Sequence, residues 1–171
     1  MQSQIVNVGH DAGVNHDALL DIATFLGVEL RDVRAALGAR WTRHEGGVYG
    51  ALDTQQVLTA GDPMQAMLVV DHHQQTITVA RPALAWDGHS PTLGLGPVHA
   101  QQQDTFDLEA LGDAVSEAAR KSRKTFKWCW HCKGVNAPFH MHSSTMCMGC
   151  ASDYEGIVYK GYPDHGSSLR V

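Results

Sequence analysis

The sequence predicts an α+β fold: a helical hairpin plus a small antiparallel sheet, followed by a helix and a C-terminal four-cysteine module. Three observations carry this reading. Leu19, Ile22, Ala23 and Leu26 recur at spacings of three and four, the period of one apolar helical face. Ala66 to Val70 is a solid apolar run and Thr76 to Ala80 alternates, the pattern of two paired strands. All four cysteines fall in two pairs, Cys129-x2-Cys132 and Cys147-x2-Cys150.

Taken in order, Asn15 is placed to cap a helix starting at His16, with Asp17 favourable in its first turn. Gly27 stops this helix. A second follows, with Leu30, Val33 and Leu37 inward and Gly38 as its stop. Between Trp41 and Leu52, Glu45-Gly46-Gly47 separates two polar-apolar runs and reads as a hairpin turn. Asp71 to Gln75 connects the two clear strands, with His72 and His73 exposed in the turn. Residues 87–104 are rich in Gly, Pro, Ser, His and Gln, so this stretch is expected to be a linker or long loop. It divides a first domain, 1–86, from a second, 105–171. In the second, Asp107 caps a helix whose stripe is Leu108, Leu111, Val115 and Ala118.

The chain has 171 residues, enough for one ordinary domain or a compact domain with a small metal-stabilised one. With 43% hydrophobic and 18% charged residues, the composition is globular and not disordered. No apolar run reaches the roughly 18 residues that cross a bilayer, so no membrane role is expected. The first residues lack a signal-peptide pattern, and a reducing, cytoplasmic location is expected. The net charge of −5 is unevenly spread. Residues 1–107 carry 12 acidic and 5 basic side chains, whereas residues 108–171 carry 6 acidic and 8 basic. A nucleic-acid surface therefore belongs in the second part.

The cysteine pairs point to a structural metal site. Zn2+ takes four thiolates in a tetrahedron, and two residues between cysteines let one tight knuckle aim both sulfurs at one ion. Lys133 to Met146 is the connecting loop between knuckles. The pattern resembles zinc ribbons and treble-clef fingers over about Phe126 to Tyr159. The resemblance implies a structural Zn2+ held by Cys129, Cys132, Cys147 and Cys150, with no open coordination position for catalysis. In a ribbon both knuckles sit on hairpins; in a treble clef the second pair opens a helix. Gly156 would end such a helix early, and Ile157 to Tyr159 reads as a strand, so the ribbon-like arrangement is expected. His131, His140 and His142 share the module without being needed as ligands.

From Arg120 to Lys133 there are six basic residues and no acidic ones, with Phe126, Trp128 and Trp130 interleaved. Cations neutralise phosphates and exposed aromatics stack on bases. Arg120, Lys121, Arg123, Lys124, Lys127, Trp128 and Trp130 are the candidate nucleic-acid contacts. A solvated helix end and a hydrophobic cover for the metal site account for the same residues. Near the N-terminus, Ile22-Ala23-x3-Gly27-x5-Val33 resembles the core of helix-turn-helix DNA-binding domains. That resemblance implies that the second helix presents Arg31 and Arg34 to DNA, with Glu45-Gly46-Gly47 as a wing. A helical hairpin that packs onto a sheet has the same apolar pattern.

No carboxylate pair, nucleophile elbow or dinucleotide fingerprint stands out, and a non-enzymatic protein is expected. A deep pocket lined by several of His10, His72, His73 and His99 would be the sign of a catalytic site. The expected function is zinc-dependent, regulatory nucleic-acid binding. The alternative is a zinc-stabilised adaptor that binds protein partners in a macromolecular or viral assembly. The sequence does not set the oligomeric state.

Overall fold

The computed structural model describes residues 17–61, 63–87 and 90–157. Helix α1, Ala18–Leu26, is capped by Asp17, whose side chain accepts from the Leu19 N–H at 3.0 Å. The cap is thus Asp17; Asn15 and His16 lie outside the described residues. Gly27 ends α1 in the left-handed conformation, φ 67°, which glycine adopts without a Cβ clash. Helix α2, Leu30–Leu37, ends at Gly38 as expected. The indole of Trp41 donates to the Leu37 carbonyl at 2.9 Å, satisfying one of the carbonyls left open at that helix end.

A five-stranded antiparallel sheet follows, in the order β1-β2-β3-β4-β5. Its strands are β1, Trp41–Arg43; β2, Gln56–Ala60; β3, Ala66–Asp71; β4, Thr76–Asp87; and β5, Ser90–Gln103. The β3–β4 hairpin matches the sequence reading. Two other expectations do not hold. Trp41 pairs with Ala60 and Arg43 with Leu58, so β1 finds its partner beyond Leu52, and Glu45-Gly46-Gly47 lies in the long connection 44–55 of that hairpin instead of forming a tight turn within 41–52. Residues 87–104 are not a linker either: β5 runs through most of them and pairs with β4 along its length. Backbone pairing with a strong neighbour overrides the weak strand propensity of Gln, Gly and Pro.

The alternation of strand side chains makes two faces. Leu58, Leu68, Val70, Ile77 and Val79 face the helices and form one core with Leu19, Ile22, Val33 and Leu37. Helix α3, Leu108–Arg123, adds Leu111, Val115 and Ala118 to this same core, capped by Asp107 as expected. The segment expected to open a second domain is therefore part of the first core. The α2–α3 contact is close: a Cβ on Gly112 would stand 2.6 Å from the Ala36 carbonyl. On the other face Val57, Met67 and Val69 meet Val48, with Leu93 and Leu95 packed alongside. Covered on both faces, β3 is buried throughout, which is why it reads as a continuous apolar run.

β4 and β5 outgrow the sheet. β3 pairs with β4 only as far as Ala80, and residues 82–87 pair with 90–95, whose other edge bridges Tyr49 at Gly94. Register shifts at Ala80 and Pro82 mark the start of this arm. Gly96 is needed there, because a Cβ would lie 2.6 Å from the Arg81 carbonyl. Among the described residues no helix is long and apolar enough to cross a membrane.

Candidate metal centre

After α3 the chain forms a two-stranded hairpin, β6, Lys127–Trp128, with β7, Val135–Asn136. Its loop is the first cysteine knuckle. The Cys129 N–H donates to the Gly134 carbonyl at 2.9 Å, and the Lys133 N–H donates to the Cys129 carbonyl at 3.0 Å. Lys133 takes φ 58° to close this turn. The side-chain amide of Asn136 donates to the Gly134 carbonyl at 3.0 Å and pins the hairpin.

The second pair sits on a helix start. Cys147 caps α4, Met148–Glu155, its sulfur accepting from the Cys150 N–H at 3.5 Å. Gly156 ends α4 in the left-handed conformation. This is the arrangement with the second pair opening a helix, so the ribbon-like expectation is corrected. A thiol can cap a helix through the same N–H groups that a serine would engage, and this local bond decides the geometry. Ile157 is not in a strand, and Val158 and Tyr159 lie outside the described residues.

The two pairs meet. The sulfurs of Cys129 and Cys150 are 3.7 Å apart, and those of Cys132 and Cys147 are 3.9 Å apart. All four lie within 4.8 Å of one another. A tetrahedron with metal–sulfur bonds of roughly 2.3 Å has sulfurs roughly 3.8 Å apart, so the donor set fits a metal ion. These separations are far beyond the roughly 2.05 Å of a disulfide bond, and all four thiols are free. The Cys147 N–H donates to the Cys129 sulfur at 3.3 Å, locking one knuckle to the other. Burial pushes the Cys129 thiol up, but the backbone N–H groups of Cys132, Cys147 and His131 outweigh it and bring it down to about 6. Burial pushes the Cys147 and Cys150 thiols up. As thiolates, four sulfurs crowded in so small a space would need a cation to balance them. Among the described residues this group of ligands contains no histidine. The His131 ring packs against Tyr154, His140 against Phe139, and His142 lies 3.5 Å from the Glu155 carboxylate.

No family model, curated protein or solved structure matches the chain. The site must therefore be read from its own geometry.

The basic flank divides into paired and unpaired cations. Arg120 grips the Glu117 carboxylate at 2.6–2.9 Å, and Lys121 reaches the same carboxylate at 3.0 Å. The Glu117 carboxyl is held well below the usual range, at about 2, first by its bond to Arg120 and then by Lys121. Arg123 donates to the Gln65 side chain at 2.7 Å. Among the described residues Lys124, Lys127 and Lys133 are exposed and in no ion pair. Glu117 was not among the sequence candidates, although its spacing of three and four from Arg120 and Lys121 carries the signal.

Trp128 and Trp130 flank the fully buried Cys129 and are 49% and 65% exposed. Val135, the cross-strand partner of Trp128, is exposed too, as is Tyr154 at 71%. Phe126 is half-buried. In the helical hairpin, Val33 is buried in the sheet core, Arg31 lies 3.4 Å from Asp32, and Arg34 pairs with Asp17. The structure thus brings the four cysteines together with Trp128 and Trp130, and leaves Arg31 and Arg34 beside carboxylates on a separate element.

Proposed function

We propose that this protein is a zinc-stabilised, regulatory nucleic-acid-binding protein that grips single-stranded segments. The observation that carries this reading is the pair Trp128 and Trp130, held outward on the cysteine knuckle beside Lys124, Lys127 and Lys133. Zn2+ suits four thiolates, supplies structural rigidity and leaves no ligand position open for chemistry. The knuckle hydrogen bonds restrict the backbone on either side of both tryptophans, so little order is lost on binding. Aromatic rings stack on bases of any sequence, and the unpaired lysines neutralise phosphates. Arg120, Lys121 and Arg123 contribute less because their partners would have to be displaced. Arg31 and Arg34 add sequence preference only where DNA displaces Asp32 and Asp17.

The test is binding of zinc-loaded protein to labelled single-stranded DNA, duplex DNA and RNA across a salt series. The expected result is salt-sensitive binding with the single strands preferred. No binding at low salt overturns the proposal.

A second reading is supported by the apolar character of the same face. Trp128, Trp130, Val135 and Tyr154 are the exposed residues that a protein partner uses as anchors, and the acidic charge of residues 1–107 suits a basic partner. On this reading the module is an adaptor in an assembly, and the nucleic-acid titrations are flat.

A further inference from the structure

On the helix side of the sheet, residues of α1, β1, β2 and the β3–β4 turn line a cleft of about 480 Å³. That volume lies within the usual range for small-molecule sites, roughly 300–1,000 Å³. Asp21 and Phe25 reach it from successive turns of α1. Arg43 reaches it from β1 and Gln56 from β2. His72 and Gln75 come from the β3–β4 turn. The cleft is remote in sequence from the cysteine module and does not depend on the function proposed for it.

Three features make this more than a surface depression. First, Gln56 is only 7% exposed, and its side-chain N–H donates to the Asp21 carboxylate at 2.9 Å. A carboxylate only accepts, so the orientation of the amide is determined. The Gln56 carbonyl oxygen is then the free end, and it accepts no hydrogen bond among the described residues. Second, Arg43 is exposed and has no carboxylate partner among the described residues, unlike Arg31, Arg34 and Arg120. Third, the wall is aromatic and rigid. Phe25 meets the His72 ring edge-on at 5.1 Å and Phe106 at 5.2 Å. The turn that carries His72 is fastened by Asp71, whose carboxylate accepts from the N–H groups of His73 and Gln74 at 2.9 Å. The Gln75 side chain folds back to the His72 carbonyl at 2.8 Å.

We infer that this cleft binds a nucleoside monophosphate. A planar heterocycle stacks on the exposed His72 ring, with Phe25 alongside. Its N–H edge donates to the open Gln56 carbonyl. Its phosphate is held by Arg43, whose planar fork suits phosphate oxygens. The three demands — flat ring, donor edge, anionic tail — are met together by this ligand class and not by inorganic phosphate or a simple sugar.

The experiment is calorimetric titration of the full zinc-loaded chain with AMP, GMP, CMP and UMP, paired with NMR of the His72 ring. Saturable binding of at least one nucleotide is expected, with a shift of the His72 ring resonances. Arg43→Ala, on an exposed side chain, should weaken it by about tenfold or more, as loss of a charge-assisted bond does. Gln56→Leu should do likewise, and Asp113→Ala, on an exposed side chain of α3, should leave it unchanged. The NMR readout on the unaltered chain keeps the test valid where Gln56→Leu disturbs folding. Absence of saturation at millimolar nucleotide overturns the inference. So does binding that leaves the His72 resonances unmoved, or that inorganic phosphate matches in affinity.

Discussion

The sulfur of Cys129 lies 3.7 Å from that of Cys150, 21 residues further along the chain, and the two arrive from different secondary structures. One sits in a hairpin turn and the other in the first turn of a helix. The four sulfurs are placed to hold a metal ion, which would bind them as thiolates and balance their charge.

Zinc is therefore expected to hold the module together. Purified chain should contain stoichiometric zinc by elemental analysis. Cys150→Ser should weaken zinc binding by more than the roughly 100-fold that changes beyond the ligand shell cost. Chelation should change the tryptophan fluorescence, since Trp128 and Trp130 flank a ligand, while the sheet core persists. Fluorescence unaltered by chelation would contradict a structural role for the ion.

The unpaired cations should matter more than the paired ones. Replacing both Lys124 and Lys127 with Ala should lower the slope of log affinity against log salt by roughly 1–2. Arg120→Ala should change it less, because Glu117 already occupies that guanidinium. Trp130→Ala should cost about 1–3 kcal/mol of single-strand affinity, the usual worth of one stacked base. Equal slopes for the lysine and arginine variants would count against the assignment.

Two glycines should respond oppositely to alanine. At Gly112 the added Cβ meets the Ala36 carbonyl at 2.6 Å, so α2 and α3 must separate. Gly112→Ala is expected to destabilise by about 1–3 kcal/mol in urea unfolding. At Gly149, within α4, nothing lies within 4 Å of the added atom. Gly149→Ala should be neutral or stabilising by up to about 1 kcal/mol. Equal effects at the two sites would mean that the helices do not approach as described.

Acid should weaken the fold before any carboxylate titrates. His99 is held below the ordinary histidine value of 6.5, first by burial, then by Lys121 and Arg81, with Glu117 opposing them. The unfolded chain then binds a proton that the folded chain refuses. Stability is full above 6.5 and falls as pH drops from there through the lowered folded value. His44, lowered by burial, acts in the same direction. Denaturant midpoints followed from about pH 8 to about pH 5 should decline, and His99→Gln should flatten part of the decline. A profile that His99→Gln leaves unaltered would remove this residue from the account.

What the sequence determined by itself was local. The apolar faces of α1, α2 and α3 repeat within a few residues, so their periodicity is visible without any partner. The β3–β4 hairpin is legible for the same reason, its two runs being joined by a short turn. The cysteine pairs are legible because a knuckle needs only two intervening residues to aim two sulfurs. What only the tertiary structure decided was set by partners distant in the chain. β5 is a strand because β4 offers it a ladder of backbone groups, which no side chain of Gln101 or Gly94 announces. The same holds for β1, whose partner lies past the glycines that suggested a turn. The cation pairings of Arg34 and Arg123 depend on Asp17 and Gln65, and the cleft at Gln56 on four segments meeting. Spacing along a chain reports the period of one element; it carries no distance between side chains on elements that meet only when the core closes.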